Sequence, residues 1–270
     1  MKTKVISLLL LTFILIPSLS KAQYDNWVIE KDSLALIDIW NNLNGENWES
    51  VWHTFRNWDQ RNWWVVGWTG IGVNNHRVDS LNIGSLRNLK GTYPTSIGDL
   101  TALRYLNIYG GTNVPTEIGN LIKLEHLEIS VGTATTIPSE FYNFTNLKAL
   151  SISGSNLTGN IPAQIGNFSK LESLSLYGDF SGNIPEELWN LTNLKRLYIT
   201  NRELEGPLPP ELGNLTNLES LNLYGNELNN EYAESRWDYY LTYSDIQVKD
   251  EYIYCLYYGN KRGIYDKEKD

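Results

Sequence analysis

Cysteine, methionine and histidine are scarce in this chain. Its 270 residues include one cysteine (Cys255), one methionine and three histidines, His53, His76 and His126. A single cysteine excludes an internal disulfide framework and a cysteine-rich zinc site. The histidines are scattered along the sequence and predict no metal site. We therefore expect neither a bound metal ion nor another cofactor.

Positive charge is also scarce. The chain has 22 Lys and Arg residues against 31 Asp and Glu residues, and its net charge is −9. This excess of acids argues against nucleic acid or an anionic membrane as the main partner.

Long apolar runs are missing as well. The run from Val5 to Ile16 is shorter than the roughly 20 residues of a membrane-spanning helix. Lysines precede this run and a small-residue ending follows it, so residues 1–22 are typical of a cleaved secretory signal peptide. We expect an exported, secreted or cell-envelope protein without a membrane span. Loss of three lysines with the peptide gives a net charge of −12 (−9 − 3).

The middle of the chain is a repeat. A triplet with the spacing LxxLxL begins at Leu103, and each later copy starts 21–24 residues after the one before. A proline lies nine residues before the first leucine of each copy. A fixed period in this range predicts a solenoid in which each repeat stacks on its neighbours. The triplets, including a degenerate first copy, are Val78-Leu81-Ile83, Leu103-Leu106-Ile108, Leu124-Leu127-Ile129, Leu147-Leu150-Ile152, Leu171-Leu174-Leu176, Leu194-Leu197-Ile199 and Leu218-Leu221-Leu223.

One copy shows the motif most fully. Residues 147–162 have the pattern LxxLxIxxSxLTGxIP, which resembles the plant-type leucine-rich repeat of plant receptor ectodomains, polygalacturonase-inhibitor proteins and some exported bacterial proteins. The resemblance covers about Val78 to Leu228. It implies an α/β fold, a right-handed leucine-rich repeat solenoid (horseshoe) with a parallel concave β-sheet of about seven strands. The chain lacks the paired cap cysteines of the plant proteins, which favours an exported bacterial member.

The sequence departs from this family at one position of the repeat. The family closes each strand with a buried asparagine, which this chain has only at Asn226. We expect backbone groups at the other repeats to find other partners. The residues at the equivalent positions are Leu86, Gly111, Gly132, Ser155, Asp179 and Arg202.

The segments that flank the repeats differ from them, as the exposed ends of a solenoid require. We expect an N-terminal cap at residues 23–77, repeats at 78–228, and a C-terminal cap and tail at 229–270. In the N-terminal cap, Asp32 or Ser33 is placed to N-cap a helix that ends near Asn44-Gly45. Tryptophans follow this helix, and their packing can replace the missing crosslink: Trp48, Trp52, Trp58, Trp63, Trp64 and Trp68.

The C-terminal segment shows alternating apolar residues rather than repeats. Ile246 and Val248 predict one short strand, and Tyr252, Tyr254, Leu256 and Tyr258 predict a second. Residues 266–270 are charged and predict a frayed tail.

Residues between the leucines of each strand line the concave sheet, because side chains alternate between the two faces of a strand. Tyrosine and arginine are frequent binding anchors, so we interpret two polar and aromatic clusters as candidate ligand-binding sites. The first is Tyr105, Asn107, Tyr109, His126 and Glu128; the second is Tyr177, Arg196, Tyr198, Asn222 and Tyr224. A small-residue patch separates them: Ala149, Ser151 and Ser153.

Each of these features also has a purely structural interpretation. Solenoid faces are often simply polar, and His126 beside Glu128 has no evident nucleophile, so catalysis is not expected. Trp63 and Trp64 either stack on sugar rings or fill the cap. Cys255 either pairs with another chain or is a buried thiol. Four of the five N-x-S/T sequons lie at the same point of the repeat, so the repeat template itself generates them. The five are Asn143, Asn156, Asn167, Asn190 and Asn214.

The leading hypothesis is therefore a non-catalytic interaction protein that binds a protein or peptide on its concave face. The alternative is a carbohydrate-binding adhesin or envelope module that uses the tryptophan-rich cap. A hydrolase has almost no support in the sequence, and the sequence does not indicate an oligomeric state.

Overall fold

The computed structural model describes residues 28–45, 49–50, 70–87, 89–200, 203–223, 225–228, 242–243, 245–249, 252–256 and 262–266. Within these ranges lie one α-helix, α1 (Glu30–Asn42), six 3₁₀ helices and fifteen β-strands. The 3₁₀ helices are Thr95–Asp99, Thr116–Asn120, Ser139–Asn143, Ala163–Asn167, Glu186–Asn190 and Pro210–Asn214. The strands are β1 (Glu49–Ser50), β2 (Ile71–Asn74), β3 (Arg77–Asn82), β4 (Leu86–Arg87), β5 (Tyr105–Ile108), β6 (His126–Ser130), β7 (Ala149–Gly159), β8 (Ser173–Gly182), β9 (Arg196–Thr200), β10 (Glu203–Leu204), β11 (Ser220–Asn222), β12 (Thr242–Tyr243), β13 (Asp245–Lys249), β14 (Tyr252–Leu256) and β15 (Arg262–Asp266).

Seven of these strands form one parallel sheet in the order β3-β5-β6-β7-β8-β9-β11. Each strand contains the middle leucine of one triplet, and these leucines pair with one another, as Leu106 does with Leu127 and Leu150 with Leu174. Every triplet residue is buried. The solenoid with a sheet of about seven parallel strands, predicted from the period, is confirmed.

Antiparallel strands cover both edges of this parallel sheet. At one edge β2 pairs with β3 across a two-residue turn, in which Asn75 and His76 have φ of 48° and 62°. Both central residues of such a tight hairpin turn need positive φ. At the other edge β12 pairs antiparallel with β11. Edge strands are ready templates for pairing with another chain, and these two strands occupy the edges of the repeat sheet.

The segment from the proline to the next leucine has the same structure in every repeat. A 3₁₀ helix begins directly after each proline, and its third residue donates to the proline carbonyl, as in Ile97 N to Pro94 O at 3.1 Å. This repeated hydrogen bond explains the constant nine-residue spacing. Length variation falls on the other side, where β7 and β8 run on past the triplet and β10 pairs with the end of β8.

A tyrosine replaces the family's asparagine in one of the repeats. At Asn226 the amide donates to the carbonyls of Ile199 and Leu223 at 2.7 and 2.8 Å. At the equivalent Gly111, the Tyr93 hydroxyl accepts from the Gly111 N–H at 3.3 Å and donates to Ser130 O at 2.9 Å. A Cβ on Gly111 would lie 2.4 Å from the Tyr93 ring, so the glycine makes room for this ring. Burial raises the pKa of the Tyr93 hydroxyl well above its usual value.

The prediction that Asp32 or Ser33 caps the first helix is wrong. Helix α1 starts at Glu30 after Ile29, without a side-chain cap, and Asp32 lies inside the helix with no exposed surface. Its carboxylate accepts from the Arg77 guanidinium at 3.0 Å and from the Val78 N–H at 2.8 Å. Burial of a carboxylate is tolerated because both oxygens are paired. Asp32 thus joins α1 to the first repeat strand.

Charges of alternating sign form a row at the start of the strands. The backbone N–H of each residue in this row donates to the carbonyl of the one before it at 2.7–2.8 Å. Glu125 contacts both neighbours, Arg104 at 2.5 Å and Lys148 at 2.7 Å, and Lys195 contacts Glu172 at 2.8 Å. We call this row the charge ladder: Asp79, Arg104, Glu125, Lys148, Glu172, Lys195 and Glu219.

The C-terminal segment forms a three-stranded antiparallel sheet in the order β13-β14-β15. The first two strands lie where alternation predicted them. The third, Arg262–Asp266, was not predicted from the sequence. Throughout the described ranges, no helix is long and apolar enough to cross a bilayer.

Replacing Asp32 by Ala removes the partner of Arg77 and the acceptor of the Val78 N–H. We expect the free energy of unfolding to fall by about 3 kcal/mol, the lower end for a broken buried ion pair, because Arg77 is partly exposed. Urea denaturation measures the change. Asp38→Ala removes an exposed carboxylate from the same helix, and we expect it to change the free energy by less than about 0.5 kcal/mol. Equal, small effects would contradict the anchoring role of Asp32.

Tyr93→Phe removes the hydroxyl that stands in for the missing asparagine. The buried Gly111 N–H then loses its partner, and we expect a destabilisation of about 1–3 kcal/mol. Tyr142→Phe is the matched control, because the Tyr142 hydroxyl is buried without a partner and burial raises its pKa to about 12. This second change should be neutral or stabilising. Thermal unfolding of both variants tests this prediction. A Tyr142→Phe variant less stable than the Tyr93→Phe variant would refute the role of the Tyr93 hydroxyl in place of the asparagine.

Glu125→Lys places three positive charges in adjacent positions of the charge ladder. We expect a loss of about 1–2 kcal/mol of unfolding free energy, kept small by solvent screening, and a smaller loss in about 1 M salt. Hydrogen bonds from Lys148 and Arg104 lower the pKa of the Glu125 carboxyl. Its stabilisation is therefore present above the unfolded pKa and is lost as pH falls through the folded pKa.

The control for the charge ladder is Glu205→Lys, which changes the same charge at an exposed position outside the ladder. Urea denaturation in low and high salt compares the two variants. A similar, salt-independent effect in both would show that ladder pairing contributes nothing to stability.

Candidate functional site

The concave face is the face of the repeat sheet that points away from the leucine core. The observed strand register places its residues in rows that match those read from the sequence. The first row is Ser80, Tyr105, His126, Ala149, Ser173, Arg196 and Ser220; the second is Asn82, Asn107, Glu128, Ser151, Ser175, Tyr198 and Asn222. The third row includes Ser130, Ser153, Tyr177 and Thr200.

The first cluster is held together by contacts between β5 and β6. The rings of Tyr105 and His126 lie 5.8 Å apart between centroids, tilted by 36°. The Asn107 amide donates to Glu128 Oε2 at 3.1 Å. A Cβ on Gly84 would lie 1.8 Å from Asn107 Oδ1, so the missing side chain at Gly84 leaves room for the Asn107 amide.

Tyr109 extends from the first cluster to the small-residue patch. Its hydroxyl is hydrogen-bonded to the Ser151 side chain, two strands away. Burial raises the pKa of Tyr109 above its usual value, and electrostatic interactions with Glu128 and Tyr177 act in the same direction. Tyr109 of the first cluster and Tyr177 of the second therefore lie close enough to interact electrostatically across the small-residue patch.

Small side chains cover two adjacent strands between the clusters. The sequence interpretation placed this patch on β7 alone, but the register adds Ser173 and Ser175 of β8 beside it. A reading across neighbouring repeats, rather than along one, would have found them. We call this surface the serine floor: Ala149, Ser151, Ser153, Ser173 and Ser175.

The second cluster lies on the far side of the serine floor. The Tyr198 hydroxyl donates to Ser220 Oγ at 3.0 Å, and Arg196 Nε lies 3.4 Å from Ser173 Oγ. Tyr177 is 42% exposed. Asn222 lies beside Tyr198 in the second row. Tyr224, the last predicted member, lies outside the described residues.

The clusters and the floor together form a trough. Glu128 and His126 stand on one side, Arg196 and Tyr198 stand on the other, and the floor separates them by two strands. Strands spaced by about 4.8 Å put the backbones of the two walls roughly 14 Å apart. The trough is therefore wide enough for one extended polypeptide chain.

Other candidate features give no site in the described part of the chain. No group of three or more His, Cys, Asp or Glu residues there is arranged to hold a metal ion. The sequon asparagines are all exposed. Trp48, Trp63, Trp64 and their neighbouring tryptophans lie outside the described residues, as does the side chain of Cys255, so the predictions for them stay predictions.

Comparison with solved structures finds the same architecture in plant proteins. A plant ice-binding protein is 24% identical with a TM-score of 0.62, covering 74% of this chain and 73% of that chain, and this likeness concerns the fold alone. The Arabidopsis receptor kinase HAESA, in complex with the peptide hormone IDA and the co-receptor SERK1, is 28% identical with a TM-score of 0.53. The ectodomain of GASSHO1/SCHENGEN3 from Arabidopsis thaliana, in complex with CASPARIAN STRIP INTEGRITY FACTOR 2, is 28% identical with a TM-score of 0.54.

The two receptor alignments cover most of this chain but a minor part of the receptors. They include 74% and 73% of this chain, and 38% of the HAESA chain and 27% of the GASSHO1/SCHENGEN3 chain. A search of curated proteins finds no match. A family model described as "Leucine-rich repeat region" matches residues 76–253, which include every repeat strand described above. The chain therefore belongs to the leucine-rich repeat family, with repeats of the plant type.

Proposed function

We propose that this chain is an exported, non-catalytic interaction protein that binds a protein or peptide ligand on its concave face. The trough is the observation that carries this proposal. Two walls with partly exposed aromatic and charged groups flank a floor of small side chains, and aromatic and arginine side chains are the usual anchors of binding sites.

The shape and polarity of the trough favour an extended peptide segment. Its floor offers serine hydroxyls, which form hydrogen bonds as donors or acceptors. Three tyrosine rings border the trough: Tyr198 lies on one wall, Tyr109 lies beside the other, and Tyr177 lies on the floor strand β8. Such rings bury much apolar area with few rotatable bonds. The two receptor kinases described above were solved with ligands of their own, and one of these ligands is a peptide hormone. That similarity supports a peptide ligand here.

Export is supported by the signal-peptide pattern of residues 1–22 and by the extracellular nature of the similar ectodomain. The proposal of no catalysis follows from the contacts of the titratable pair on this face. Glu128 is bonded to the Asn107 amide and His126 contacts the Tyr105 ring. These contacts order a surface, whereas acid–base chemistry needs a bonded base and nucleophile.

Tyr109→Ala with Tyr198→Ala tests the trough. We expect peptides selected from a random displayed library on the full chain to bind the double variant at least tenfold more weakly, since each change removes an aromatic anchor from one wall. Isothermal titration calorimetry measures the affinities. Circular dichroism confirms the fold.

Ile122→Ala is the matched control. Ile122 is 57% exposed and precedes β6 outside the concave rows, so its removal should leave peptide affinity unchanged. Undiminished affinity of the folded tyrosine variant, or an equal loss in the control, would count against concave-face binding. A library that yields no binder would do so as well.

A further inference from the structure

Two glutamates close together in the chain have different surroundings. Glu125, in the charge ladder, is paired with Arg104 and Lys148. Glu128, on the concave face, accepts one hydrogen bond from the Asn107 amide at 3.1 Å. Among the described residues no lysine or arginine forms a salt bridge with it. A carboxylate offers about four acceptor positions, so Glu128 keeps acceptor capacity toward solvent.

Aromatic rings border Glu128 on one side. In the register of the sheet, Tyr105 is its diagonal neighbour from β5, and His126 precedes it by two residues on the same face of β6. Tyr109 follows directly after β5 and interacts electrostatically with Glu128. Diagonal neighbours lie within reach of long and aromatic side chains. The faces of tyrosine rings carry negative potential and attract cations. The carboxylate and the ring faces therefore both favour a positively charged group in a ligand.

In the described rows of the concave face, no fixed positive charge lies near enough to neutralise Glu128. Within the described concave rows the only arginine is Arg196, and lysine is absent. Arg196 lies three strands from Glu128, roughly 14 Å at the spacing of a sheet. That separation exceeds the screening length of about 8 Å at physiological ionic strength. The net charge of −9 adds a long-range attraction for cations.

We infer that Glu128, together with the ring faces of Tyr105 and Tyr109, forms a subsite for the guanidinium or ammonium group of a basic side chain in the peptide. This subsite rests on the proposed peptide-binding function and names the ligand chemistry of one wall of the trough. The basic group lies over β6 with the carboxylate as its ion-pair partner, and the peptide continues across the serine floor.

Peptide selection on three forms of the full chain tests the subsite. Peptides selected on the unmodified chain should be enriched in arginine and lysine relative to the input library. Glu128→Gln, which keeps shape and removes charge, should abolish that enrichment. Glu125→Gln removes the same charge from the same part of the sheet but at the charge ladder, and it should preserve the enrichment.

Affinities of one selected peptide give the quantitative form of the test. We expect Glu128→Gln to weaken its binding by roughly ten- to a hundredfold, the range for losing a charged hydrogen-bonded partner. Replacing the peptide's arginine by citrulline, its neutral isostere, should cause a similar loss on the unmodified chain and little further loss on Glu128→Gln. The citrulline comparison on the unmodified chain needs no variant to fold.

The outcomes separate the subsite from the function on which it rests. Selected peptides without basic enrichment, bound by a trough that still requires Tyr198, would overturn the subsite and leave the proposed function standing. An equal loss in Glu128→Gln and Glu125→Gln would also overturn it, because general attraction to an acidic chain explains that result. Failure to select any peptide would overturn the proposed function itself.

Discussion

Parallel pairing of equivalent strands is the constraint on which the rest of this structure depends. Because neighbouring strands lie about 4.8 Å apart in fixed register, residues at the same phase of successive repeats form rows. The rows of leucine make the core, the row before each strand makes the charge ladder, and the rows between the leucines make the concave face. The constant module from proline to leucine keeps this phase, since its 3₁₀ helix has the same first hydrogen bond in every repeat. Insertions fall after the strand, where they leave the register unchanged.

Buried backbone N–H and C=O groups must still form hydrogen bonds in repeats that lack the family's asparagine. The Tyr93 hydroxyl serves the groups at Gly111 that an asparagine would serve, and Asn226 shows the ordinary arrangement in the last repeat. The first repeat is joined to the flanking helix by the buried carboxylate of Asp32. A buried carboxylate with two partners is costly to disrupt from one side. The departure from the family pattern at Gly111 is therefore matched by specific hydrogen bonds of the Tyr93 hydroxyl.

The candidate site arises from differences between repeats rather than from the repeat itself. Repeats on β5 and β6 carry large aromatic or charged residues on the concave face, those on β7 and β8 carry mostly serine, and β9 carries large residues again. A trough results because side-chain size falls and rises along rows of constant spacing. Its two walls differ in charge, with Glu128 on one and Arg196 on the other. A ligand that fits the trough therefore meets different chemistry at its two sides.

The sequence alone determined the period, the inward face of each strand and the rows of the concave sheet. Strand alternation and a constant repeat length are enough to say which way each residue faces, whatever its side chain contacts. Asp32 could not be predicted in this way. Its position at the start of an apolar helix indicates a cap, and only the packing of α1 against the first repeat strand buries it. Tyr109 is similar, since its contact with Ser151 depends on a ring that crosses an intervening strand. The charge ladder is partly predictable. Its alternating charges can be read by comparing successive repeats, but their pairing depends on the register of the strands. Tertiary structure decided these contacts because each joins residues that the chain separates by about one repeat or more.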